Sequence, residues 1–375
     1  MTTTGHSPGT TSRTRPSAAT LGGLLGEQLR RLCHVAGVAD PARAYRSSLR
    51  DLLGPAAQRP LVAAPPSPSA VSDDHTPAEF SLAMPGSGPP SVRVLADPGC
   101  TASGLAAGGR VGREALERLA RRWGFSTGPL RRIEDLFFPA APEGTFALWC
   151  AMELRQREGP GFKAYVDPAA QGPGRSAQVV EEALARLGYG RAWPALRRHA
   201  AARFPDADRF AFFAVDLGFW TAPRVKVYVA HHGFGSDEVR RFASLLPDGA
   251  PQQVADFCRV VGGTDRFDRH PLVSCFSFTA DDPHAPGGYA LHVPVRDYAP
   301  DDRVARDRAM AVILRLGIAP GFLDRALAAM TSRRLSDGVG LISYLSLTQE
   351  GRRQPRVTAY LSPEAYQVGR PRHAS

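Results

Sequence analysis

The sequence predicts an α+β fold: a closed barrel of ten antiparallel strands with helices outside, built from five helix–helix–strand–strand units. Three observations carry that prediction. Short segments of like pattern start at residues 93, 163, 226, 290 and 358, so successive starts lie 70, 63, 64 and 68 residues apart. A steady period of this size marks a repeated supersecondary unit. Each segment alternates with period two, as a strand with two different faces does, and follows a second strand-like run across a short gap. Between these strand pairs the apolar period turns helical.

Taken along the chain, a first helix pair is expected near 21–36 and 41–54, followed by strands 78–84 and 91–97. The gap between those strands, Pro85-Gly-Ser-Gly-Pro-Pro90, is turn chemistry. The amphipathic run Arg113-Glu-Ala-Leu-Glu-Arg-Leu-Ala120 and the stretch Pro129-Leu-Arg-Arg-Ile-Glu-Asp-Leu136 form the next helices, before strands 145–154 and 161–167. Helices near 177–200 precede strands 209–216 and 223–230. Helices near 236–262 precede strands 272–279 and 288–295, and helices near 303–332 precede strands 339–347 and 355–362. Gaps this short make antiparallel hairpins, because a parallel crossover needs a dozen residues or more. That excludes a (β/α)₈ barrel, whose strands are parallel. Closing ten strands into a barrel removes exposed edges and leaves a lumen wide enough for ligands.

Of 46 basic residues only Lys163 and Lys226 are lysines, and each stands two residues before a tyrosine, in Lys163-Ala-Tyr165 and Lys226-Val-Tyr228. An ammonium is a compact point charge, unlike the planar guanidinium fork. The pair reads as anion contacts on one wall, against the plainer reading of two strand lysines. By alternation Arg93, Lys163 and Lys226 share a face, and Arg224 lies on the face of Lys226.

The 375 residues are read as one barrel domain over 20–366, with a disordered Thr/Ser/Gly/Pro-rich tail at 1–19 and a short tail at 367–375. No charged segment precedes an apolar one in the manner of a secretory signal, and no run approaches a membrane span, so the cytoplasm is the expected location. The five cysteines, Cys33, Cys100, Cys150, Cys258 and Cys275, lack metal-ligand spacing and read as ordinary thiols. A formal charge of +10 is compatible with nucleic acid, but the arginines are scattered over helices and form no recognisable binding motif.

Five stretches carry a family resemblance: Asp73-Asp-His-Thr-Pro-Ala-Glu-Phe-Ser-Leu82, Arg121-Arg-Trp-Gly-Phe-Ser126, Glu134-Asp-Leu-Phe-Phe-Pro139, Leu291-His-Val-Pro-Val-Arg-Asp-Tyr298 and Leu335-Ser-Asp-Gly-Val-Gly-Leu341. In this order they resemble the dimethylallyltryptophan synthase family of aromatic prenyltransferases, and most the bacterial members that prenylate the benzene ring of tryptophan. The resemblance spans 20–366 and implies the same ten-stranded barrel. It implies an enzyme of specialised metabolism that moves a dimethylallyl group from dimethylallyl diphosphate to L-tryptophan, at C6 by first choice, with C5 and C7 as alternatives.

The family pattern assigns Arg93, Lys163, Arg224 and Lys226 to the diphosphate. Fixed cations aimed at a leaving group stabilise the charge that develops as the C–O bond breaks. Tyr165, Tyr228, Tyr344 and Tyr360 match the tyrosines that shield the allyl cation, whose charge is drawn to aromatic faces. His292 departs from the pattern, standing where many members carry tyrosine, and is either a diphosphate donor or a satisfied lumen histidine. Ala290 stands where many carry Lys or Gln. Glu79 matches the glutamate that accepts the indole N–H. Glu153, alternating with Met152 and Leu154 beside the Lys163 strand, is a candidate for the base that removes the ring proton, with a structural ion pair as the alternative.

No metal is expected. Asp73-Asp74, Asp281-Asp282 and Asp301-Asp302 each lack the third aspartate of the Asp-Asp-x-x-Asp pattern that holds magnesium in other isoprenoid enzymes. The partners expected are the two small substrates, with neither nucleic acid nor membrane. The alternatives are the same chemistry on another indole, a cyclic dipeptide or tyrosine, and a non-catalytic barrel that binds an anion.

Overall fold

A computed structural model describes residues 19–40, 43–156, 159–200 and 203–372. Ten strands pair in sequence order and close on themselves, every pair antiparallel. They are β1 (Ala78–Pro85), β2 (Ser91–Ala96), β3 (Leu148–Leu154), β4 (Gly161–Val166), β5 (Asp208–Gly218), β6 (Val225–His231), β7 (Leu272–Phe278), β8 (Gly288–Val293), β9 (Ile342–Gln349) and β10 (Arg356–Leu361). Closure is direct: Phe80 of β1 faces Val94 of β2 on one side and Leu361 of β10 on the other. The expected barrel and its five hairpins are therefore present.

The helices wrap the outside. α1 (Leu21–Val35) and α2 (Ala44–Leu53) precede the first hairpin, and α3 (Leu105–Trp123) precedes the second. α4 (Ser176–Arg186) and α5 (Trp193–Ala200), α6 (Ser236–Ala243) and α7 (Pro251–Gly262), then α8 (Asp302–Arg315) and α9 (Gly321–Met330) precede the others. α1 buries Leu21, Leu25, Leu29 and Leu32, the spacing of one helical face, and Thr20 caps it by accepting the Gly23 N–H at 3.2 Å. α8 starts at Asp301, whose carboxylate accepts the Val304 N–H at 2.8 Å.

Strand alternation sorts the barrel wall into two chemistries. Phe80, Leu82, Val94, Met152, Phe162, Val227, Phe276 and Leu291 point outward into one large apolar core under the helices. The lumen holds a smaller cluster of Phe146, Trp149, Tyr165, Tyr228, Cys275 and Ala290, beside the buried charges. All five hairpin turns lie at one end of the barrel and all helix connections at the other, because the ten strands simply run up and down.

Several local expectations are corrected. The strand expected from 145 begins at Leu148, because the Thr145 N–H is held by the Asp167 carboxylate at 2.6 Å and takes no part in the ladder. Pro294 has no N–H to donate, so β8 stops at Val293 and Val295–Tyr298 turns into a short helix. At the start of β9, Asp302 takes the N–H groups of Gly340 and Ile342 at 3.0 and 3.1 Å, which keeps 339–341 out of the strand. The helix expected at 129–136 breaks into Gly128–Arg131 and Glu134–Phe137. Two residues on each side, Phe234–Gly235 and Arg266–Phe267, form a small extra ladder that the sequence did not announce.

The expected tail at 1–19 lies outside the described residues except for Ala19. Residues 367–372 run along the barrel, with Gly369 bridged to Val339 and the Arg372 N–H on the Pro300 carbonyl at 2.8 Å. All five cysteines are buried free thiols. Among the described residues no helix is long and apolar enough to cross a membrane.

Candidate active site

The lumen is ordered along its axis. At the hairpin end, alternation brings Arg93, Glu153, Arg155, Lys163, Asp216, Lys226 and Arg356 inward, and Arg224 joins them from the start of β6. Glu153 accepts from Arg93 Nη2 and Arg155 Nε, each at 3.1 Å. Lys163 Nζ lies 2.5 Å from Asp216 Oδ1, and both side chains are essentially without solvent contact. Arg224 Nε donates to the other Asp216 oxygen at 2.8 Å, and its Nη1 to Glu350 at 3.1 Å. Arg356 also sits 3.6 Å from Glu350. Lys226 is buried and, among the described residues, has no carboxylate within ion-pairing distance.

Among the described residues, six basic side chains thus face three carboxylates, so positive charge predominates at this end. Burial alone would raise the Glu153 pKa, but Arg93, then Arg155, Arg224 and Arg356, outweigh it and hold the carboxylate far below the usual range. Burial pushes the Lys163 ammonium down, with Asp216 opposing and Lys226, Arg224 and Arg93 adding to the push. Burial, then Arg224, likewise lowers Lys226. Both ammonium groups are therefore crowded by neighbouring positive charge, and only Lys163 has a carboxylate partner among the described residues.

Above the cations lies an aromatic belt. Ring centroids run Tyr165–Tyr228 at 5.9 Å, Tyr228–His292 at 5.9 Å, His292–Tyr360 at 5.6 Å and Tyr360–Tyr344 at 6.4 Å. Phe212 meets the Tyr228 ring edge-on at 5.7 Å and leads on to Trp149 and Phe146. All four expected tyrosines therefore lie in one continuous row, with His292 at its middle. His292 Nδ1 lies 3.2 Å from the Val273 carbonyl, which can only accept, so Nδ1 carries the hydrogen. Burial holds the imidazole pKa down at about 3, so the ring is neutral and Nε2 accepts from the Tyr360 hydroxyl at 3.0 Å.

Glu79 stands at the helix-connected end, opposite the turns. Ser343 Oγ donates to its carboxylate at 2.9 Å. Burial raises its pKa to about 7, against the lowering effects of Ser343, Arg296 and Arg93. Arg296 pairs with Asp73 at 2.7 Å and covers the Tyr344 ring at 4.8 Å. A cavity of about 180 Å³ is lined by Asp73, Arg296, Gly340, Glu364 and Arg372 among others, without Glu79. A larger hollow of about 600 Å³ lies along α3, outside the barrel, and involves none of these groups.

The sequence reading missed Arg155, Arg356, Ser343 and the counter-ions Asp216 and Glu350. Arg356 had a signal: it occupies, two residues before Thr358, the place that Arg224 occupies before Lys226. Ser343 had none, because it sits in a β-bulge between Ile342 and Tyr344 that breaks alternation.

A closed antiparallel barrel that joins a cationic end to an aromatic lumen defines an aromatic prenyltransferase. The chain belongs to the tryptophan dimethylallyltransferase family, whose model matches residues 39–321. Among solved structures it is similar to the prenyltransferase PriB in ternary complex with L-tryptophan and dimethylallyl thiolodiphosphate. The identity is 49%, the TM-score 0.87, and the match covers 95% of this chain and 99% of that one. The 5-dimethylallyltryptophan synthase from Streptomyces coelicolor matches at 47% identity and TM-score 0.87, over 94% of this chain and 99% of that one. The 6-dimethylallyltryptophan synthase from Micromonospora olivasterospora, in complex with DMASPP and Trp, matches at 44% identity and TM-score 0.87, over 94% and 100%.

Proposed function

We propose that the protein transfers the dimethylallyl group of dimethylallyl diphosphate to the benzene ring of L-tryptophan, at C6, without a metal ion. The observation that carries this is the axial order of the lumen: excess cations, then aromatic faces, then one carboxylate of raised pKa. Dimethylallyl diphosphate brings about three negative charges, which the predominance of basic side chains at the hairpin end favours. As C1–O breaks, the diphosphate keeps the electron pair and the allyl cation lies against Tyr165, Tyr228, Tyr360 and Tyr344. The indole carbon then bonds to C1, and loss of the proton from that carbon restores aromaticity.

Glu79 is assigned to the indole N–H. Of the four lumen carboxylates among the described residues, it alone has a raised pKa, so it is also the group suited to take the ring proton, through one water. Glu153 does not suit the role of base, because two arginines hold it ionised and poorly basic at the diphosphate end. It is assigned instead to hold Arg93 in place. His292 is assigned to the belt as a neutral ring that orients the Tyr360 hydroxyl, in place of a diphosphate contact. Free tryptophan as the acceptor is supported by the Asp73–Arg296 pair beside Glu79, which offers an anion to the ammonium and a cation to the carboxylate. The 5- and 6-dimethylallyltryptophan synthases resemble the chain about equally, so C6 is carried forward from the sequence, with C5 and C7 as the other outcomes.

The test is incubation with both substrates in EDTA, followed by mass spectrometry and proton NMR. A product one dimethylallyl group heavier is expected, with the ring-proton pattern of a 6-substituted indole. Loss of turnover in EDTA with rescue by magnesium would overturn the metal-free reading. Equal turnover of tryptamine and indole-3-propionate would overturn the assignment of Asp73 and Arg296.

A further inference from the structure

Trp220 lies in the turn between β5 and β6, at the cationic end of the barrel. Its ring is within cation–π range of three charges at once: Arg155 Cζ at 4.3 Å, Arg224 Cζ at 4.9 Å and Lys163 Nζ at 5.2 Å from the centroid. The ring is fixed from behind. Its Nε1–H reaches two carbonyls, Leu217 at 2.6 Å and Phe162 at 2.9 Å, so the N–H faces the wall and only the π face meets the cations. Space for it is reserved on the neighbouring hairpin, since a Cβ on Gly161 would stand 2.7 Å from the indole. Gly218, at φ +82, supplies the left-handed backbone that turns the chain back over the barrel end.

Each of the three cations is held on another side by a carboxylate, Arg155 by Glu153 and both Lys163 and Arg224 by Asp216. An aromatic face attracts several cations together without neutralising them. A fourth carboxylate in its place would reduce the excess positive charge that a polyanion needs.

We propose that Trp220 is a positioning residue for the donor: it closes the hairpin end of the lumen and holds Arg155, Lys163 and Arg224 toward the diphosphate. The proposal rests on the reading of this end as the diphosphate site. It assigns to a turn residue, outside the strands, control over donor binding and over water entry behind the leaving group.

The test is calorimetric titration of the full chain with inorganic diphosphate, together with KM for each substrate. Trp220→Leu is expected to weaken diphosphate binding roughly tenfold or more and to raise the donor KM in step, while the tryptophan KM moves by about twofold or less. Trp220→Phe keeps a π face and recovers most of the loss. Gly161→Ala leaves the indole in the sequence but drives it from its seat, so it reproduces the Leu variant and carries the comparison should Trp220→Leu not fold. Wild-type binding of diphosphate by a folded Trp220→Leu or Gly161→Ala, or a Phe variant no better than Leu, overturns the proposal. Failure of the wild-type chain to bind diphosphate overturns the diphosphate reading itself.

Discussion

Glu79→Gln should make the protein less active and more stable, and both effects should depend on pH. The amide keeps the shape and can still accept from the indole N–H, but it loses the charge. A hydrogen bond to a charged group contributes about 1.5–3 kcal/mol, so kcat/KM for tryptophan should fall roughly ten- to a hundredfold at pH 8. Because the working form is the carboxylate and its pKa is raised to about 7, wild-type kcat/KM should climb between about pH 6 and 8. The variant's profile should be flat over that range.

Stability moves the other way. Unfolded, the carboxyl ionises near 4.5, whereas folded it ionises near 7. Folding therefore takes up a proton between those values, and this group's contribution is full below 4.5 and lost as pH rises through 7. A difference of that size is worth at most about 3 kcal/mol at about 1.4 kcal/mol per pH unit. With an unfolding entropy of about 2.1 cal/mol/K per residue, that raises Tm by up to about 4 °C, less what water reaching the carboxyl takes away. Thermal denaturation should find the gain at pH 8 and little or none at pH 5. A Glu79→Gln protein that keeps the wild-type pH profile, or that is less stable than wild type at pH 8, would refute the assignment.

Lys226→Met removes a buried ammonium that has no ion-pair partner among the described residues, so donor KM should rise roughly tenfold or more while Tm holds or increases. Lys163→Met, which strips Asp216 of a 2.5 Å partner, should lower Tm, and thermal melts of the two variants side by side give the comparison. His292→Phe keeps the belt's ring and should leave the donor KM within about threefold of wild type, whereas a true diphosphate ligand would cost more than tenfold. Glu153→Gln should raise the donor KM through Arg93 and leave the pH profile of kcat unchanged, and a profile that lost its ionisation would restore Glu153 as the base.

The fold was legible because the unit repeats. One hairpin with two helices is weak evidence, but the same register of cation and tyrosine recurring along the chain fixes which face of each strand is inward. The acid that sits in register with Lys163, Asp216, was as readable as the lysine once strands were paired, yet pairing is set by contacts far apart in sequence. Bulges are where alternation fails. Phe210 and Phe212 would share a face in a regular strand, but the bulge between them turns Phe210 out toward Trp193 and Phe212 in toward Tyr228. Ser343 and Trp220 were out of reach for the same reason, since neither a bulge nor a turn has a period to read. The charge state of Glu153 also needed the structure, because it depends on four arginines drawn from four different hairpins.

The repeat also explains why one short pattern can serve two steps of the chemistry. In Lys163-Ala-Tyr165 and Lys226-Val-Tyr228 the cation and the tyrosine are two residues apart, so they share a face and are displaced by about 7 Å along the strand. The cation falls at the level of the leaving group and the ring at the level of the carbon it leaves behind. Because all the turns lie at one end, every hairpin that carries the pattern delivers its charge to the same level and its ring to the next. The fourth hairpin, with Ala290 and His292, keeps a ring but supplies no cation. The deficit is met from the position two residues nearer the turn, by Arg224 in the third hairpin and Arg356 in the fifth. Placing a cation at the ring level, as Tyr165→Lys would do, should therefore damage ionisation more than deleting the ring. It places a positive charge beside the allyl cation. Single-turnover measurements should show Tyr165→Lys slower than Tyr165→Ala by a margin that narrows as pH rises and the new ammonium loses its proton. Equal rates for the two at every pH would mean that the belt excludes water without stabilising charge.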